Sequence, residues 1–247
     1  MEATSQSEDW KHWAWRGARR GLAGPMWFMS LSFIGTGSIA HDAGVPLGAT
    51  LLSTPLVWAG PAQVLYFGAI AAGAAPAAIA VALSLSSVRL LLLCVSLLPM
   101  LRDRRMSFLM VFYVNHNIAI TSWAESMLRL PDMKREARIP YFMGFVHVLM
   151  FGSTVAIGVG WVLSSQVPPL IGAAMLLVSP LYFFTTVVGS ARKAIDWIAI
   201  GLGLAFAPIA RAYVPGGFDL LVLGLSAGTI AYVANRMLRA RRASAAT

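Results

Sequence analysis

The stretch that decides the fold is residues 139–163, which read IPYFMGFVHVLMFGSTVAIGVGWVL. It contains no Asp, Glu, Lys or Arg, and about 20 apolar residues in a helix are enough to cross the hydrocarbon core of a bilayer. Basic residues precede it between Arg129 and Arg138, and Lys and Arg collect on the cytoplasmic side of membrane proteins. The stretch therefore predicts a membrane-spanning helix that begins at the cytoplasmic face.

The composition of the whole chain agrees with this stretch. Hydrophobic residues make up 58% of the 247 residues and charged residues 12%, and the mean hydropathy is +0.71. Soluble domains carry about 25% charged residues. With so few charges, a soluble globule of this size could not cover its surface with polar groups. We therefore expect an all-α, polytopic membrane protein embedded in a lipid bilayer.

Seven further apolar runs complete a prediction of about eight transmembrane helices. These runs lie near 21–40, 45–60, 63–84, 87–101, 168–188, 195–214 and 217–237. The runs at 45–60 and 87–101 are short, which predicts tilted or broken helices there. The predicted organisation is a basic, Trp-containing cytoplasmic leader (1–20), a single transmembrane domain (21–237) and a basic cytoplasmic tail (238–247).

The positions of the charges predict orientation. The net charge is +9, and the cations lie at the ends of apolar runs, whereas a nucleic-acid-binding protein would spread them over a soluble basic face. Clusters of cations predict cytoplasmic segments at the leader, 102–105, 129–138, 192–193 and 236–242. Gaps without Lys or Arg predict outward-facing segments at 41–42, 164–166 and 215–217. Eight crossings then place both termini in the cytoplasm of a bacterial inner membrane. The leader fits either an interfacial segment at the headgroups or a disordered tail.

One apolar segment, residues 106–128, does not fit a simple crossing. Both of its flanks are basic, so a single crossing would carry one basic cluster outward. Its apolar pattern is also interrupted by Asn115, His116 and Asn117. We expect a re-entrant or broken element whose two halves meet at this polar triplet; a full crossing, with nine spans in total, is the competing interpretation.

Two short stretches suggest an internal repeat. Residues 49–56, ATLLSTPL, resemble residues 174–181, AMLLVSPL, at an offset of 125 residues. The offset is close to half the chain, and it favours a parallel duplication of four plus four spans, an architecture typical of secondary transporters. Chance similarity between two Leu- and Ala-rich helices is the alternative.

The stretch from Ser53 to Gln63 is the first candidate for a binding site. It contains Pro55, Gly60 and Pro61 within an apolar region, which predicts a broken helix with free backbone groups at membrane depth. Such helix ends bind the charged groups of a small zwitterion, and Gln63 adds a side chain that donates and accepts. The candidate substrate-binding residues here are Thr54, Gly60 and Gln63. A plain cytoplasmic turn between two spans is the alternative.

Arg89, Asn115, His116 and Asn117 complete the candidate set. Arg89 is a cation inside an apolar run, where it fits either a substrate carboxylate or an interfacial position reached by its long side chain. Asn115 and Asn117 are candidate substrate-binding residues. His116 is the candidate proton-coupling residue, with a packing role as the alternative. Glu125 precedes Arg129 by four residues and predicts an interfacial ion pair.

Features of enzymes and metalloproteins are absent from the sequence. It contains no paired-cysteine motif, no P-loop and no HExxH, and its four histidines lack metal-ligand spacing. The single cysteine, Cys94, excludes an intrachain disulfide and predicts a small buried hydrophobic residue. We expect no catalytic residues, no metal and no cofactor.

The motifs resemble the AzlC-type permease family, the large subunits of two-component branched-chain amino-acid exporters linked to azaleucine resistance. The resemblance covers roughly residues 20–240. It is carried by Ala59-Gly60-Pro61-Ala62-Gln63 and by Ser87-Val88-Arg89-Leu90-Leu91, which leads to Ser96-Leu97-Leu98-Pro99. Gly60, Gln63 and Arg89 match the family pattern residue by residue.

The resemblance implies efflux of amino acids such as leucine, isoleucine and valine, together with a small, separately encoded AzlD-type membrane subunit. Two positions depart from the pattern. Ser87 and Leu90 replace the usual Asn and His around the arginine, and Asn115-His116 replaces an Asp-Glu pair. We expect an ion-gradient-coupled exporter subunit for small hydrophobic amino acids; the alternative is a non-transporting or regulatory membrane subunit of a partner complex.

Overall fold

A computed structural model describes residues 2–102, 106–166, 168–191, 194–213 and 219–244. All regular elements in these ranges are helical, which confirms the predicted all-α class. The α-helices are α1 (Glu2–Leu22), α2 (Pro25–Asp42), α3 (Leu47–Leu56), α4 (Gly60–Ala71), α5 (Pro76–Leu101), α6 (Phe108–His116), α7 (Ile120–Arg129), α8 (Arg135–Val162), α9 (Pro169–Ser190), α10 (Ala194–Tyr213) and α11 (Asp219–Ser244). Short 3-10 turns follow α7 and α8, at Leu130–Asp132 and Ser164–Gln166.

The helix α8 is the centre of the described core, and glycines let its neighbours approach it closely. A Cβ atom added at Gly144 would overlap the backbone carbonyl of Ala14 on α1, and one at Gly160 would overlap that of Ile34 on α2. Small residues at such crossings are the usual means by which membrane helices pack. One continuous helix therefore covers the predicted span 139–163, and α1 and α2 both pack against it.

The leader forms a helix that packs along α8. Gly17 of α1 lies so close to the Tyr141 carbonyl that no side chain fits between them. At the end of α1, Arg20 Nε lies 3.0 Å from Glu125 Oε1 on α7. The alternative of a disordered tail is therefore wrong for the described part of the leader, because glycine contacts and an ion pair hold it against the core.

The helices α2 and α8 run parallel, so their N-terminal ends lie at one end of the molecule and their C-terminal ends at the other. Gly152 faces Met26, and further along Gly160 faces Ile34. Beyond these contacts Trp161 Nε1 donates to the Val45 carbonyl over 2.8 Å. The segments predicted to face outward, 41–42 and 164–166, therefore lie at the same end of the molecule.

The opposite end of the described fold carries a group of cations. Arg138 donates from its Nη1 to the Met100 carbonyl at the end of α5, over 3.2 Å. Arg20 and Arg129 lie beside Glu125, the latter pair at 3.6 Å. Several basic clusters that are distant in sequence thus share one end of the fold.

The boundaries of two predicted spans are wrong. The run 63–84 is interrupted, since α4 ends at Ala71 and α5 begins at Pro76. Gly73 in the turn adopts a φ of 68°, which favours glycine, and Pro76 supplies the first turn of the next helix. The gap expected between 84 and 87 does not exist, because α5 continues to Leu101 with a bend of 51° around Arg89.

Two described helices are long and apolar enough to cross a membrane, namely Arg135–Val162 and Ile195–Tyr213, and the bent pair within α5 makes a third if it is one span. The shorter α3 and α4 contain 10 and 12 residues, which corresponds to about 15 and 18 Å at 1.5 Å per residue. Each is therefore too short to cross a core of about 30 Å alone. The break between them accounts for the short run predicted at 45–60.

Some predicted segments lie outside the described residues. These are the cations at 104–105 and 192–193 and the outward gap at 215–217; the side chain of Arg89 and the side chains of the tail from 238 onward are likewise outside.

Candidate functional site

The first helix break separates α3 from α4. Pro55 cannot donate a backbone hydrogen bond, and α3 ends one residue later, at Leu56. The chain then turns so that the Ala59 amide donates to the Val57 carbonyl over 2.7 Å. Pro61 lies in the first turn of α4, where proline is favoured. The predicted break between Ser53 and Gln63 is confirmed.

The second break separates α6 from α7 at the polar triplet. The helix α6 ends at His116, and the Asn117 side chain donates from Nδ2 to the Tyr113 carbonyl over 2.8 Å. On the other side, Ser122 Oγ accepts from the Ala119 amide over 2.9 Å and donates to the Asn117 carbonyl over 3.1 Å. Polar side chains thus satisfy backbone groups that the break releases, and the predicted broken element is confirmed.

A hydrogen bond of His116 joins the two breaks. Its Nε2 donates to the Pro55 carbonyl over 2.7 Å. That carbonyl is free to accept because α3 ends before residue 59 could donate to it in helical geometry. With the proton on Nε2, the Nδ1 atom of a neutral ring keeps its lone pair. The imidazole therefore ties the two breaks together and retains one nitrogen able to accept a proton.

A cavity of about 440 Å³ opens where the breaks meet. Its walls come from the start of α4, the start of α7, the middle of α2 and single residues of α5 and α9. The lining residues are Met29, Ser32, Phe33, Trp58, Ala59, Gly60, Pro61, Val64, Leu90, Ala119, Ile120, Thr121 and Leu176. The volume is within the range of small-molecule sites, and most of the lining is apolar.

The predicted residues of the first break lie at the cavity or directly behind it. Gly60 lines it. Gln63 and Thr54 are fully buried and do not line it. Gln63 Nε2 donates to Ser53 Oγ over 3.3 Å, which ties α4 to α3, while Gln63 Oε1 and Thr54 Oγ1 are buried without a hydrogen-bond partner.

The predicted residues of the second break also lie behind the cavity wall. Asn117 is fully buried, and the Oδ1 atoms of both Asn115 and Asn117 have no hydrogen-bond partner. One turn earlier, the hydroxyl of Tyr113 lies 2.5 Å from Nε2 of His147, whose Nδ1 donates to the Met143 carbonyl over 2.7 Å. This contact fixes α6 against α8.

Arg89 lies at the bend of α5, next to a lining residue. Leu90, which follows it, lines the cavity. The predicted function of the Arg89 side chain, toward a substrate carboxylate or toward the interface, stays a prediction, since that side chain lies outside the described residues.

Several lining residues were not predicted from the sequence. Trp58, Phe33, Met29 and Leu176 are apolar residues in an apolar chain, and no spacing distinguishes them from residues that face lipid. Thr121, the second residue of α7, is a weak polar signal, and its hydroxyl lies 3.3 Å from the Met29 sulfur. The position of Trp58 between Pro55 and Pro61 is the one signal that could have indicated it.

The carboxylate of Glu125 is buried within the protein. Its side chain is 8% exposed and accepts from Tyr141 Oη over 2.9 Å and from Arg20 Nε over 3.0 Å. The predicted partner Arg129 is present but more distant, at 3.6 Å. The pair with Arg129 is present, and α1 and α8 cover the carboxylate; its position relative to the membrane interface stays a prediction. The acid thus joins α1, α7 and α8 at the basic end.

The family model described as AzlC protein matches residues 25–175 of this chain. No curated protein and no solved structure matches it. The matched region includes α2 to α8, both helix breaks and almost all of the cavity wall. Since the match covers more than half of the chain, the resemblance is confirmed: the protein is a helical membrane protein of the AzlC family, a transport-associated, non-enzymatic family whose members work with a partner membrane subunit.

Proposed function

We propose that this chain is the subunit of an inner-membrane secondary transporter that exports small hydrophobic, branched-chain-like amino acids, coupled to an ion gradient. The observation that carries the proposal is the cavity at which two broken helices meet. Discontinuous helices at such a site are the usual substrate-binding device of secondary transporters, because their ends present unpaired backbone groups. The family membership supplies the transport class.

The shape and lining of the cavity support a small hydrophobic substrate. Phe33, Val64, Leu90 and Leu176 provide apolar walls, and about 440 Å³ accommodates one amino acid of the size of leucine with room for movement. Gly60 leaves space that a side chain would occupy. The apolar walls would bind the side chain of the substrate, and the helix ends would bind its polar groups.

The buried polar residues behind the cavity are proposed to complete the substrate site when the breaks rearrange. Thr54, Gln63, Asn115 and Asn117 each carry a buried oxygen atom without a partner. Buried polar atoms are normally paired, and unpaired ones in a native structure mark sites of strain or function. A small shift of the α3–α4 or α6–α7 break would bring these atoms to the cavity.

His116 is proposed as the proton-coupling residue. Its imidazole joins both breaks, so a proton on Nδ1 would change the charge where the two elements meet. His116→Gln keeps a donor for the Pro55 carbonyl and removes the titrating group. We expect this variant to retain leucine exchange at equal pH in proteoliposomes and to lose at least tenfold in transport driven by a pH gradient. Equal gradient-driven transport by His116→Gln and wild type would contradict the coupling role.

The charges at the two ends of the fold support a proposal for its placement in the membrane. We propose a multi-pass arrangement with both termini in the cytoplasm and about eight membrane helices, of which α3 and α4 are the broken elements and α6–α7 is re-entrant. The cations gathered near Glu125 and Arg138 support a cytoplasmic basic end. The segments near Val45 and Ser164 would then face outward.

The helix contacts support the proposed four-plus-four duplication. A Cβ added at Gly35 of α2 would lie 2.9 Å from the Gly172 carbonyl and 3.0 Å from the Leu176 side chain, both on α9. One added at Gly158 of α8 would lie 2.9 Å from the side chain of Leu51 and 4.0 Å from that of Leu47, both on α3. Leu47 and Gly172 are 125 residues apart, and so are Leu51 and Leu176, which is the offset of the ATLLSTPL and AMLLVSPL stretches. The α2–α9 contact therefore matches the α8–α3 contact. This is the relation expected if a pseudo-twofold axis exchanged α2 with α8 and α3 with α9.

A small AzlD-type membrane subunit is the proposed partner. The test of function therefore uses the chain produced together with that subunit in cells, and follows the efflux of a radiolabelled leucine analogue. We expect export by wild type and at least a tenfold loss for Gln63→Ala and Arg89→Ala at equal amounts of inserted protein. Gln166→Ala, at an exposed residue of the outer 3-10 turn, is the matched control and should export normally.

Two results would contradict the proposal. Normal export by both Gln63→Ala and Arg89→Ala would refute the site assignment. No export by the wild-type pair for leucine, valine or methionine would refute the transport function and favour a non-transporting or regulatory subunit.

A further inference from the structure

We infer that the buried polar face of α7 is the part of the substrate path that leads from the cavity to the basic end of the fold, and that Glu125, Arg20 and Tyr141 close this path in the described conformation. The inference rests on the proposed function for the assignment of the cavity as a substrate site. It goes beyond that function by assigning one half of the path and its gate. A transporter that alternates access has to open and close a route on each side of its binding site.

The helix α7 starts at the cavity and ends among the cations. Its N-cap residue Ala119 and its first two residues, Ile120 and Thr121, line the cavity. Its last residue is Arg129, whose side chain is 53% exposed. Thr121 and Arg129 are eight residues apart, which corresponds to about 12 Å along a helix. About two turns of one helix therefore separate the cavity from the exposed basic end.

The buried face of α7 is polar. Spacings of one and four residues place its four buried polar residues on one side of the helix, namely Thr121, Ser122, Glu125 and Ser126. Polar groups are unfavourable in the interior of a membrane protein unless they are paired or line a polar path. Ser122 bonds backbone groups of the α6–α7 break, whereas the Thr121 hydroxyl has only the Met29 sulfur, a weak acceptor, as its described partner. The face therefore offers polar groups along a line that starts at the cavity wall.

Glu125 closes this polar face one turn below the cavity. It follows Thr121 by four residues and therefore lies on the same side of α7. Its Oε1 accepts from Arg20 Nε of α1 over 3.0 Å and from Tyr141 Oη of α8 over 2.9 Å. The Arg20 side chain is 42% exposed and the Glu125 side chain is 8% exposed. Water at the basic end thus reaches the cation but not the carboxylate behind it, and the cluster seals the lower end of the polar face.

The helix α7 is the side of the path that can move. The helices α1 and α8 pack so closely that a Cβ atom added at Gly17 or Gly144 would overlap the backbone of the other helix. By contrast, α7 begins at the α6–α7 break, and element ends of this kind absorb the backbone rotation of a hinge. Loss of the bonds to Glu125 would therefore release α7 from a fixed pair of helices and open its polar face toward the basic end.

The test measures access to residue 121 from the basic side of the membrane. Thr121→Cys is introduced into a Cys94→Ala background, the chain is produced with its partner subunit, and a small membrane-impermeant thiol reagent is added on the side from which Lys134→Cys reacts. We expect slow labelling of Thr121→Cys while Glu125 and Arg20 are present. Addition of Glu125→Gln or of Arg20→Gln should make this labelling at least tenfold faster, because each substitution removes one charge of the ion pair that closes the path.

Two controls distinguish an opened gate from a loosened fold. Gly160→Ala strains the crossing of α2 and α8 at the other end of the fold and should leave the labelling of Thr121→Cys unchanged. Ala156→Cys, a buried position of α8 outside the cavity lining, should stay unlabelled when Glu125→Gln is added. Unchanged labelling of Thr121→Cys with both Glu125→Gln and Arg20→Gln would overturn the inference. An equal rise with Gly160→Ala, or equal labelling of Ala156→Cys, would overturn it as well.

The result is separable from that of the transport test, because labelling requires neither a substrate nor transport. Faster labelling in the gate variants without export of any tested amino acid would refute the proposed function and support the gated path. Leucine export by the wild-type pair together with unchanged labelling in the gate variants would support the function and overturn the inference.

Discussion

Glu125 joins three helices through a single carboxylate. Arg20 of α1 and Tyr141 of α8 both donate to its Oε1, and the acid itself lies on α7, whose first turn lines the cavity. The carboxylate is buried, while the Arg20 and Arg129 side chains are 42% and 53% exposed. Water therefore screens the cations and reduces the energy of each pair.

Glu125→Gln is expected to destabilise the folded protein by about 1–2 kcal/mol. The amide retains a hydrogen bond to Tyr141 but loses the negative charge that pairs with Arg20. Because the Arg20 side chain is partly exposed, the loss costs less than breaking a fully buried pair. The measurement is the apparent Tm of the purified protein in detergent. Glu136→Gln, at an exposed acid in the first turn of α8, should leave Tm unchanged. Equal Tm values for Glu125→Gln and wild type would contradict a stabilising role for this carboxylate.

At the residue scale, the sequence predicts side chains that break a pattern and misses those that continue it. Gly60 and Gln63 stand out because prolines and a glycine interrupt an apolar run, and Asn115 to Asn117 stand out because they are polar. Phe33 and Leu176 line the same cavity but resemble every other apolar residue in the chain. The burial of Glu125 could not be predicted from the sequence either, because its partners Arg20 and Tyr141 lie on other helices.

Glycines decide how closely the helices pack. A Cβ at Gly160 would overlap the Ile34 carbonyl, so this crossing of α2 and α8 requires the absence of a side chain. Gly68 of α4 has open space around its would-be Cβ and is exposed. Gly160 and Gly68 are both helical glycines, one without and one with room for a methyl group, so each serves as a control for the other.

Gly160→Ala is expected to destabilise the protein by about 1–3 kcal/mol, the usual cost of forcing a methyl group into a packed interior. Gly68→Ala is expected to be neutral or to stabilise by about 0.5–1 kcal/mol, because alanine loses less backbone entropy in a helix. Apparent Tm values in the same detergent compare the two. A Gly160→Ala protein as stable as wild type would show that α2 and α8 do not approach as closely as described.

At the element scale, hydropathy locates helices and misplaces their ends. The hydropathy of the run 63–84 hides the turn at Gly73 and the start of a new helix at Pro76, although a glycine and a proline three residues apart are themselves signals of a break. The break at Asn115–Asn117 was predictable because polar side chains there satisfy released backbone groups, which apolar residues cannot do.

Among the described residues, the cations near Glu125 and Arg138 lie at one end of the fold, and the segments near Val45 and Ser164 lie at the other. In a Cys94→Ala background, single cysteines test which end faces the cytoplasm. Asp42→Cys and Ala74→Cys should react with a membrane-impermeant maleimide added to intact cells. Lys134→Cys, exposed at the basic end, should react only after the membrane is permeabilised. Labelling of Lys134→Cys in intact cells would contradict cytoplasmic termini and the topology built on them.

The cavity between the two helix breaks is the proposed substrate site, and filling it is the most direct test of that assignment. Gly60 lines the cavity, and Gly68 lies on the same helix with open space around it. The measurement is counterflow of radiolabelled leucine in proteoliposomes that contain the chain and its partner subunit. We expect Gly60→Leu to lose at least tenfold in counterflow and Gly68→Leu to remain within twofold of wild type. Wild-type counterflow by Gly60→Leu would contradict the assignment of this cavity as the substrate site.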